Sequence, residues 1–183
     1  MPLAHAHVAP LSFPDPVAAE FAKDIWDARC IPGTRYSPCR SVFFLNFTDI
    51  TPAFRPVVKR HIQLMLMKYS VDHCRNKIRH LETFLDFFLL RRPGVAHFQQ
   101  VDRADIEAYL IYLRTDRGKH WSEQEMIYAV STLKQFLAYL QQRSLFEAPH
   151  QPVGKLIWPD DVGRKVLQRR DSEVHPGKRL ATN

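Results

Sequence analysis

The segment that decides the fold covers residues 57–148 and begins VVKRHIQLMLMKYSVDHCRNKIRHLETFLDFFLLRR. It contains one proline, Pro93, and two glycines, Gly94 and Gly118, whereas eight prolines lie in the first 56 residues. Proline and glycine are the residues that most often interrupt helices. The segment therefore predicts a run of helices with a few short breaks, and we expect an all-α protein.

Three breaks divide this segment into four amphipathic helices. Each break precedes a plausible helix start, such as Asp102 or the capping box formed by Ser122 and Glu125. Apolar residues recur on one face of each helix at about 100° per residue, so each helix can bury that face. The predicted helices run from 52–56 to 68, from 71 to 91, from 103 to 117 and from 122 to 143.

The residues before this segment are expected to form an irregular arm. Asp15 followed by Pro16 is typical of a helix start, so a short helix is predicted over residues 15–29. Residues 42–47, VFFLNF, are too apolar for a free linker and should pack on the helices. The expected division of the chain is an N-terminal arm at 1–51, a helical domain at 52–148 and a basic linker at 149–183.

The positive charge of the chain is concentrated on its first two core helices. The formal net charge is +7, and residues 52–91 alone carry +5. Such an excess predicts an acidic partner, either nucleic acid or an anionic membrane surface. No apolar run approaches the roughly 18 residues of a membrane span, and no glycine-rich phosphate loop is present. We therefore expect no membrane association and no nucleotide cofactor.

The cysteine pattern indicates a reduced, cytoplasmic protein. The chain has three cysteines and no C-x-x-C spacing, and its first residues lack the features of a signal peptide. Zinc binding by Cys30, Cys39 and a nearby histidine is an alternative, but the spacing matches no common zinc site. We expect no metal and no cofactor, and a place on the bacterial nucleoid when DNA is bound.

The exposed faces of the second and fourth core helices carry the candidate binding residues. The fourth helix presents mostly uncharged hydrogen-bonding groups, where a merely solvated face would carry Lys and Glu. A glutamine can pair bidentately with adenine, and Ser or Thr can contact several bases in a DNA major groove. For any one of these residues, ordinary helix surface is the alternative. The candidate phosphate contacts are Arg75, Lys77, Arg79, Lys119 and Lys134, and the candidate base or sugar contacts are Asn76, His80, Gln124, Tyr128, Ser131, Thr132 and Gln135.

Three stretches resemble the N-terminal core-binding, SAM-like domain of tyrosine recombinases, the family of phage and transposon integrases. They are KIRHLETFLDFF at 77–88, VDRADIEAYL at 101–110 and STLKQFLAYL at 131–140. Residues 24–27 and 45–50 look similar to the upstream arm of transposon-type integrases. The resemblance implies a bundle of four to five helices that binds double-stranded DNA at a recombination half-site. It implies that the second and fourth helices face the major groove, and that other recombinase protomers are partners on the DNA.

The residues that this family uses for catalysis do not occur as a set in the chain. The family's chemistry needs an Arg, a Lys, an H-x-x-R pair, a further His or Trp, and a nucleophilic Tyr. None of the nine histidines is followed three residues later by Arg, and the last tyrosine, Tyr139, lies in a predicted core helix. We therefore expect a DNA-binding protein that does not cut DNA, with its linker leading toward an absent catalytic domain. An excised domain and a truncated gene product would both account for this.

A second function is compatible with the same sequence. The polar faces of the second and fourth helices could bind another protein chain instead of DNA. The alternative is therefore a small helical protein-interaction module without DNA binding.

Overall fold

A computed structural model describes residues 15–36, 43–115, 121–145 and 147–162. The helices are α1 Pro16–Ala22, α2 Arg55–Leu66, α3 Val71–Arg91, α4 Arg103–Thr115, α5 Glu123–Gln142 and α6 Val153–Leu156. Two short strands, β1 Ile25–Asp27 and β2 Phe44–Asn46, pair antiparallel. Single 3-10 turns lie at Ala28–Cys30, Phe98–Gln100 and Pro159–Val162. The all-α prediction is confirmed, with one small β-ribbon in addition.

The four predicted core helices are present as α2 to α5, and α3 has the predicted bounds. The starts of α3, α4 and α5 are capped by side chains, because the first backbone N–H groups of a helix lack partners inside it, whereas α2 has no side-chain cap. Ser122 Oγ accepts a hydrogen bond from the backbone N–H of Glu125 at 3.2 Å, and Ser70 Oγ accepts one from that of His73 at 3.3 Å. Asp102 and Asp105 form a reciprocal capping box at the start of α4, with side-chain to backbone distances of 2.9 and 3.1 Å. The local sequence therefore sets these helix starts.

The start of α4 is also tied to the end of α3. The Asp105 carboxylate is fully buried and accepts hydrogen bonds from Arg92 Nε at 2.9 Å and from Arg91 Nε at 3.2 Å. Arg92 reaches the Asp102 carboxylate as well, at 2.6 Å. A buried carboxylate needs such partners, since an unpaired charge in the interior is costly. These ion pairs fix the angle at which the chain leaves α3 and enters α4.

The predicted helix over residues 15–29 is shorter than expected. It ends at Ala22, and residues 25–27 form β1 instead. The Trp26 indole N–H donates to the backbone carbonyl of Lys23 at 2.8 Å, and the buried Glu20 carboxylate accepts from the backbone N–H of Asp27 at 2.6 Å. Trp26 packs between Phe21 and Phe47, with ring centroids 4.8 and 4.5 Å apart. These tertiary contacts override the helical periodicity of the segment.

The residues upstream of α2 contribute to the same hydrophobic core as the helices. Trp26, Leu45, Phe47 and Ile50 are each 1 % exposed or less and belong to one cluster with the apolar faces of α2 to α5. Arg55 at the start of α2 donates to the backbone carbonyl of Ile50 and pairs with the Asp24 carboxylate. The expected packing of the VFFLNF segment is confirmed for Leu45 and Phe47, whereas Phe44 is exposed. The domain boundary at residue 51 stays a prediction.

The first part of the expected linker is folded. Val153, Leu156 and Ile157 are buried in the common core. The Gln141 amide on α5 fixes the segment that leads into α6. It donates to the backbone carbonyl of Gln151 at 2.6 Å and accepts from the backbone N–H of Val153 at 3.1 Å. The chain therefore stays packed on the core past residue 148 as far as Ile157, and the domain boundary at 148 stays a prediction. Residues 163–183, which hold the rest of the expected linker, lie outside the described residues.

His61 on α2 is buried against two aromatic rings of α5. Its ring centroid lies 5.2 Å from that of Phe136 and 4.7 Å from that of Tyr139. Within the described part of the chain, neither ring nitrogen of His61 has a hydrogen-bond partner. Burial and, to a smaller extent, the positive charge of Lys77 lower the pKa of His61 from 6.5 to about 4. The imidazole is therefore neutral at neutral pH.

Replacing Trp26 tests the role of the arm in the core. Trp26→Ala removes a large side chain that is 1 % exposed, so we expect it to lower the free energy of unfolding by about 3–5 kcal/mol. The matched control is Phe44→Ala on the paired strand, because Phe44 is 51 % exposed and its loss should cost about 0.5 kcal/mol. Chemical denaturation monitored by circular dichroism measures both. Equal stability of the two variants would show that the arm does not belong to the core.

The burial of His61 predicts that the fold weakens in mild acid. Between pH 6.5 and about 4 the unfolded chain binds a proton at His61 that the folded chain excludes, so the free energy of unfolding falls with the pH. The share from His61 is on the order of 3 kcal/mol across this interval. His61→Phe should remove that share and flatten the dependence of the melting temperature on pH. His150→Phe, at an exposed histidine, should leave the dependence unchanged. A His61→Phe profile parallel to that of the wild type would contradict the assignment.

Candidate nucleic-acid interface

The helices α3 and α5 pack side by side and leave an open groove of about 680 Å³ between their exposed faces. Both helices bury an apolar face in the core, which brings their polar faces next to each other at the surface. We call this surface the α3–α5 groove. It is lined by His73, Asn76, Lys77, Arg79, His80, Ser122, Gln124, Glu125, Tyr128, Ser131, Thr132 and Gln135.

The α3–α5 groove brings together all but three of the twelve candidate contact residues. Arg75 is exposed on α3 and Lys134 is half-buried on α5, but neither is part of the groove lining. Lys119 lies outside the described residues. The two helix faces that the sequence predicted separately thus form one continuous surface.

Three lining residues were not among the candidates. The sequence predicts Ser122 and Glu125 as a helix cap, and they do form the cap of α5. They also line one end of the groove. His73 stacks on Tyr69, with centroids 4.5 Å apart and an angle of 14° between the rings. A signal for His73 was available, because residues 73, 76, 77 and 80 follow the spacing of one helix face.

Lys77 lies on the floor of the α3–α5 groove and is only 7 % exposed. Its ammonium donates to Gln135 Oε1 at 2.8 Å and lies 3.4 Å from Thr132 Oγ1, so it joins α3 to α5. Burial lowers the pKa of Lys77 from its ordinary range. A phosphate anchor would present its ammonium to solvent, whereas this ammonium already has two oxygen partners inside the protein.

Thr132 and His80 are buried beside Lys77, at 2 % and 5 % exposure. His80 Nδ1 lies 3.3 Å from Thr132 Oγ1, and the direction of this hydrogen bond depends on the imidazole tautomer. Among the described residues, His80 Nε2 has no hydrogen-bond partner. Burial and, to a smaller extent, the nearby cations Arg79 and Lys77 lower the pKa of His80 to about 4. Both side chains thus contribute neutral polar groups beneath the surface.

Arg79 crosses the groove from α3 and pairs with the Glu125 carboxylate on α5. Its guanidinium also lies 5.5 Å from the centroid of the Trp121 ring. Half of the Arg79 side chain is exposed, and exposed ion pairs contribute only about 0.2–1 kcal/mol. Arg79 can therefore exchange Glu125 for another anion, such as a phosphate, at small cost. We call the contacts of Lys77, His80 and Arg79 across the two helices the polar seam.

The outer edge of the α3–α5 groove consists of exposed side chains without charge. These are Asn76 on α3 and Gln124, Tyr128 and Gln135 on α5, with Tyr128 57 % exposed. Amide and phenol groups of this kind donate and accept hydrogen bonds but are weak nucleophiles and weak bases. The arrangement is therefore suited to recognising a polar surface rather than to activating a substrate.

The described residues contain no group of three or more His, Cys, Asp or Glu side chains arranged to hold a metal ion. Over the same residues, no helix combines the length and the apolar character that a membrane span requires. The α3–α5 groove is thus the candidate site that the described structure presents, and it coincides with the surface predicted from the sequence.

Comparison with known proteins relates the chain to transposases. It is 30 % identical to Transposase B from transposon PsiTn554 of Staphylococcus aureus over 152 residues, which are 81 % of this chain and 21 % of that protein. Transposase B from transposon Tn554, in S. aureus strains Mu50 and N315, is 30 % identical over 94 residues, or 50 % of this chain and 15 % of that protein. The chain therefore spans about a fifth or less of the length of these relatives. No protein-family model matches the chain, and no solved structure matches it significantly.

Proposed function

We propose that this chain is a DNA-binding part of a recombinase that acts in transposition, and that the α3–α5 groove faces a recombination half-site. The similarity to transposases from S. aureus mobile elements supports the role in transposition. The observation that carries the DNA-binding role is the composition of the groove. It places uncharged hydrogen-bonding side chains beside the exposed Arg79, along two long neighbouring helices of a basic protein.

The dimensions of the site suit duplex DNA. Helices α3 and α5 have 21 and 20 residues, which corresponds to about 30 Å each at 1.5 Å per residue. A DNA major groove about 12 Å wide admits one helix, so one of the two can enter it while its neighbour follows the phosphate backbone. Arg75 and Arg79 on α3 supply the cations for phosphate, and Gln124, Tyr128 and Gln135 on α5 supply groups for base edges.

The finer assignment is to the core-binding domain of a tyrosine recombinase. It rests on the resemblance of residues 77–88, 101–110 and 131–140 to that domain, and these stretches lie in α3, α4 and α5. In this proposal the chain binds DNA without cutting it, acts in the cytoplasm on the nucleoid, and meets other recombinase protomers on the DNA. Catalysis would require the residues that the family uses and that this sequence lacks as a set.

Exposed apolar side chains support a second candidate, the protein-interaction module. Leu90 and Ile111 are 83 % and 60 % exposed, and Met67 is 76 % exposed. Large apolar side chains at the surface are enriched where proteins meet. They lie outside the α3–α5 groove, so a protein contact through them is compatible with DNA binding through the groove.

Salt-dependent DNA binding tests the proposed function. A site is first selected from a random duplex library with the full chain, and affinities are then measured by gel shift across a salt series. Arg79→Ala should weaken binding to the selected and to random duplexes alike, and should reduce the salt slope by about 0.9 for one lost phosphate contact. Gln124→Ala should cost about 1–3 kcal/mol on the selected site only. Arg60→Ala on α2, outside the groove, should change neither quantity.

Two results would contradict the proposal. One is a failure of the wild-type chain to bind duplex DNA, which would favour the protein-interaction module. The other is an equal effect of Arg79→Ala and Arg60→Ala, which would mean that DNA does not bind at the α3–α5 groove.

Strand cleavage is tested separately. The chain is incubated with a nicked suicide duplex that carries the selected site, and covalent adducts are sought by denaturing electrophoresis and mass spectrometry. We expect none, because the catalytic residues of the family do not occur here as a set. A complete tyrosine recombinase on its own substrate is the positive control. A phosphotyrosine linkage mapped to any of the six tyrosines would refute this part of the proposal.

A further inference from the structure

We infer that Lys77 fixes the side-chain amide of Gln135 so that only the amide N–H donors of Gln135 face the DNA. Gln135 therefore recognises a base by the acceptor atoms of that base. This inference rests on the proposed function and specifies the base chemistry of the same site. It assigns a positioning role to Lys77, whose buried ammonium donates to Gln135 Oε1 instead of facing the ligand.

The orientation of the Gln135 amide follows from the chemistry of its partner. A lysine ammonium has three donors and no acceptor, so the amide atom 2.8 Å from Lys77 Nζ must be the carbonyl oxygen. The reverse orientation would set the amide N–H groups against a cation, donor against donor. The usual ambiguity between the oxygen and the nitrogen of a glutamine amide is thereby removed at this position.

The position of Lys77 turns the carbonyl inward. Lys77 is 7 % exposed and lies on the floor of the α3–α5 groove, whereas Gln135 is exposed at its edge. Since the oxygen and nitrogen of an amide diverge from one carbon, an oxygen that faces the floor leaves the nitrogen facing away from it. Among the described residues, no acceptor is paired with Gln135 Nε2, so its two N–H groups remain for a ligand.

This arrangement changes which base Gln135 recognises. A free glutamine amide pairs bidentately with adenine, since its oxygen accepts from N6 while its nitrogen donates to N7. The Gln135 oxygen faces Lys77 on the floor of the groove and is thus turned away from a base, which leaves the N6 group of adenine and the N4 group of cytosine without an acceptor. Guanine presents two acceptors, N7 and O6, whereas adenine presents only N7 and thymine only O4. We therefore expect Gln135 to favour guanine, with two acceptors, over adenine and thymine, with one each, and over cytosine, with none.

The experiment is a selection from a random duplex library with the full chain, followed by sequencing. The position read by Gln135 is the one at which Gln135→Ala loses its base preference. The wild type should favour guanine there. Lys77→Met keeps the length of the side chain but frees the amide, so adenine should gain about tenfold relative to guanine at that position. Lys134→Met, on the same helix as Gln135 but outside the groove lining, should leave the preference unchanged.

A second variant covers the case in which Lys77→Met does not fold. Gln135→Glu keeps an oxygen acceptor for Lys77 but removes both N–H donors, so the preference should move from guanine to cytosine, whose N4 group donates to a carboxylate. Thermal melting shows whether each variant is folded. A preference of the wild type for adenine at the Gln135 position would overturn the inference, as would an unchanged preference in folded Lys77→Met. Absence of any sequence preference in the wild type would instead contradict the proposed function itself.

Discussion

The ammonium of Lys77, buried between α3 and α5, fixes how these two helices are placed against each other at the protein surface. A buried cation is tolerated only when oxygen acceptors surround it, and its two partners here both lie on the neighbouring helix. Sliding α5 along α3 by one turn would move Gln135 and Thr132 by about 5.4 Å and leave the charge without them. The apolar faces of the two helices hold them together, whereas the polar seam defines their register.

The same logic of paired buried charge operates at the other joints of the fold. The Asp105 carboxylate pairs with Arg91 and Arg92 at the turn from α3 to α4. Between α1 and β1, the Glu20 carboxylate pairs with Lys23 and accepts from the backbone N–H of Asp27. Apolar contacts are non-directional, whereas the hydrogen bonds of a buried carboxylate require particular partners at particular positions. These contacts therefore determine geometry more than they add stability, and they do so where the chain changes direction.

The sequence predicts the parts of this structure that depend on local signals. The bounds of α3 and the starts of α4 and α5 follow from caps and from a 3.6-residue period, and the polar faces of α3 and α5 follow from the same period. β1 was not predicted, because the contacts of Trp26 with Phe47 and of Glu20 with Asp27 form only when the chain is folded and leave no local sequence signal. The burial of Lys77 was not predicted for a similar reason. A lysine on a polar helix face looks exposed until the neighbouring helix is in place.

If the α3–α5 groove binds DNA as proposed, the ion pair between Arg79 and Glu125 affects its affinity for every duplex. A phosphate that approaches Arg79 must displace the Glu125 carboxylate, and every duplex, whatever its sequence, meets this competition. Binding to random DNA depends mostly on phosphate contacts, whereas a cognate site adds base contacts that do not compete with Glu125. The penalty is therefore the same in free energy for random and for cognate duplexes, so the ion pair lowers the affinity for both, and the ratio of the two affinities depends on the base contacts. A fixed amide at Gln135 acts on that ratio, because a reader with one hydrogen-bonding pattern excludes the bases that a mobile amide would accept.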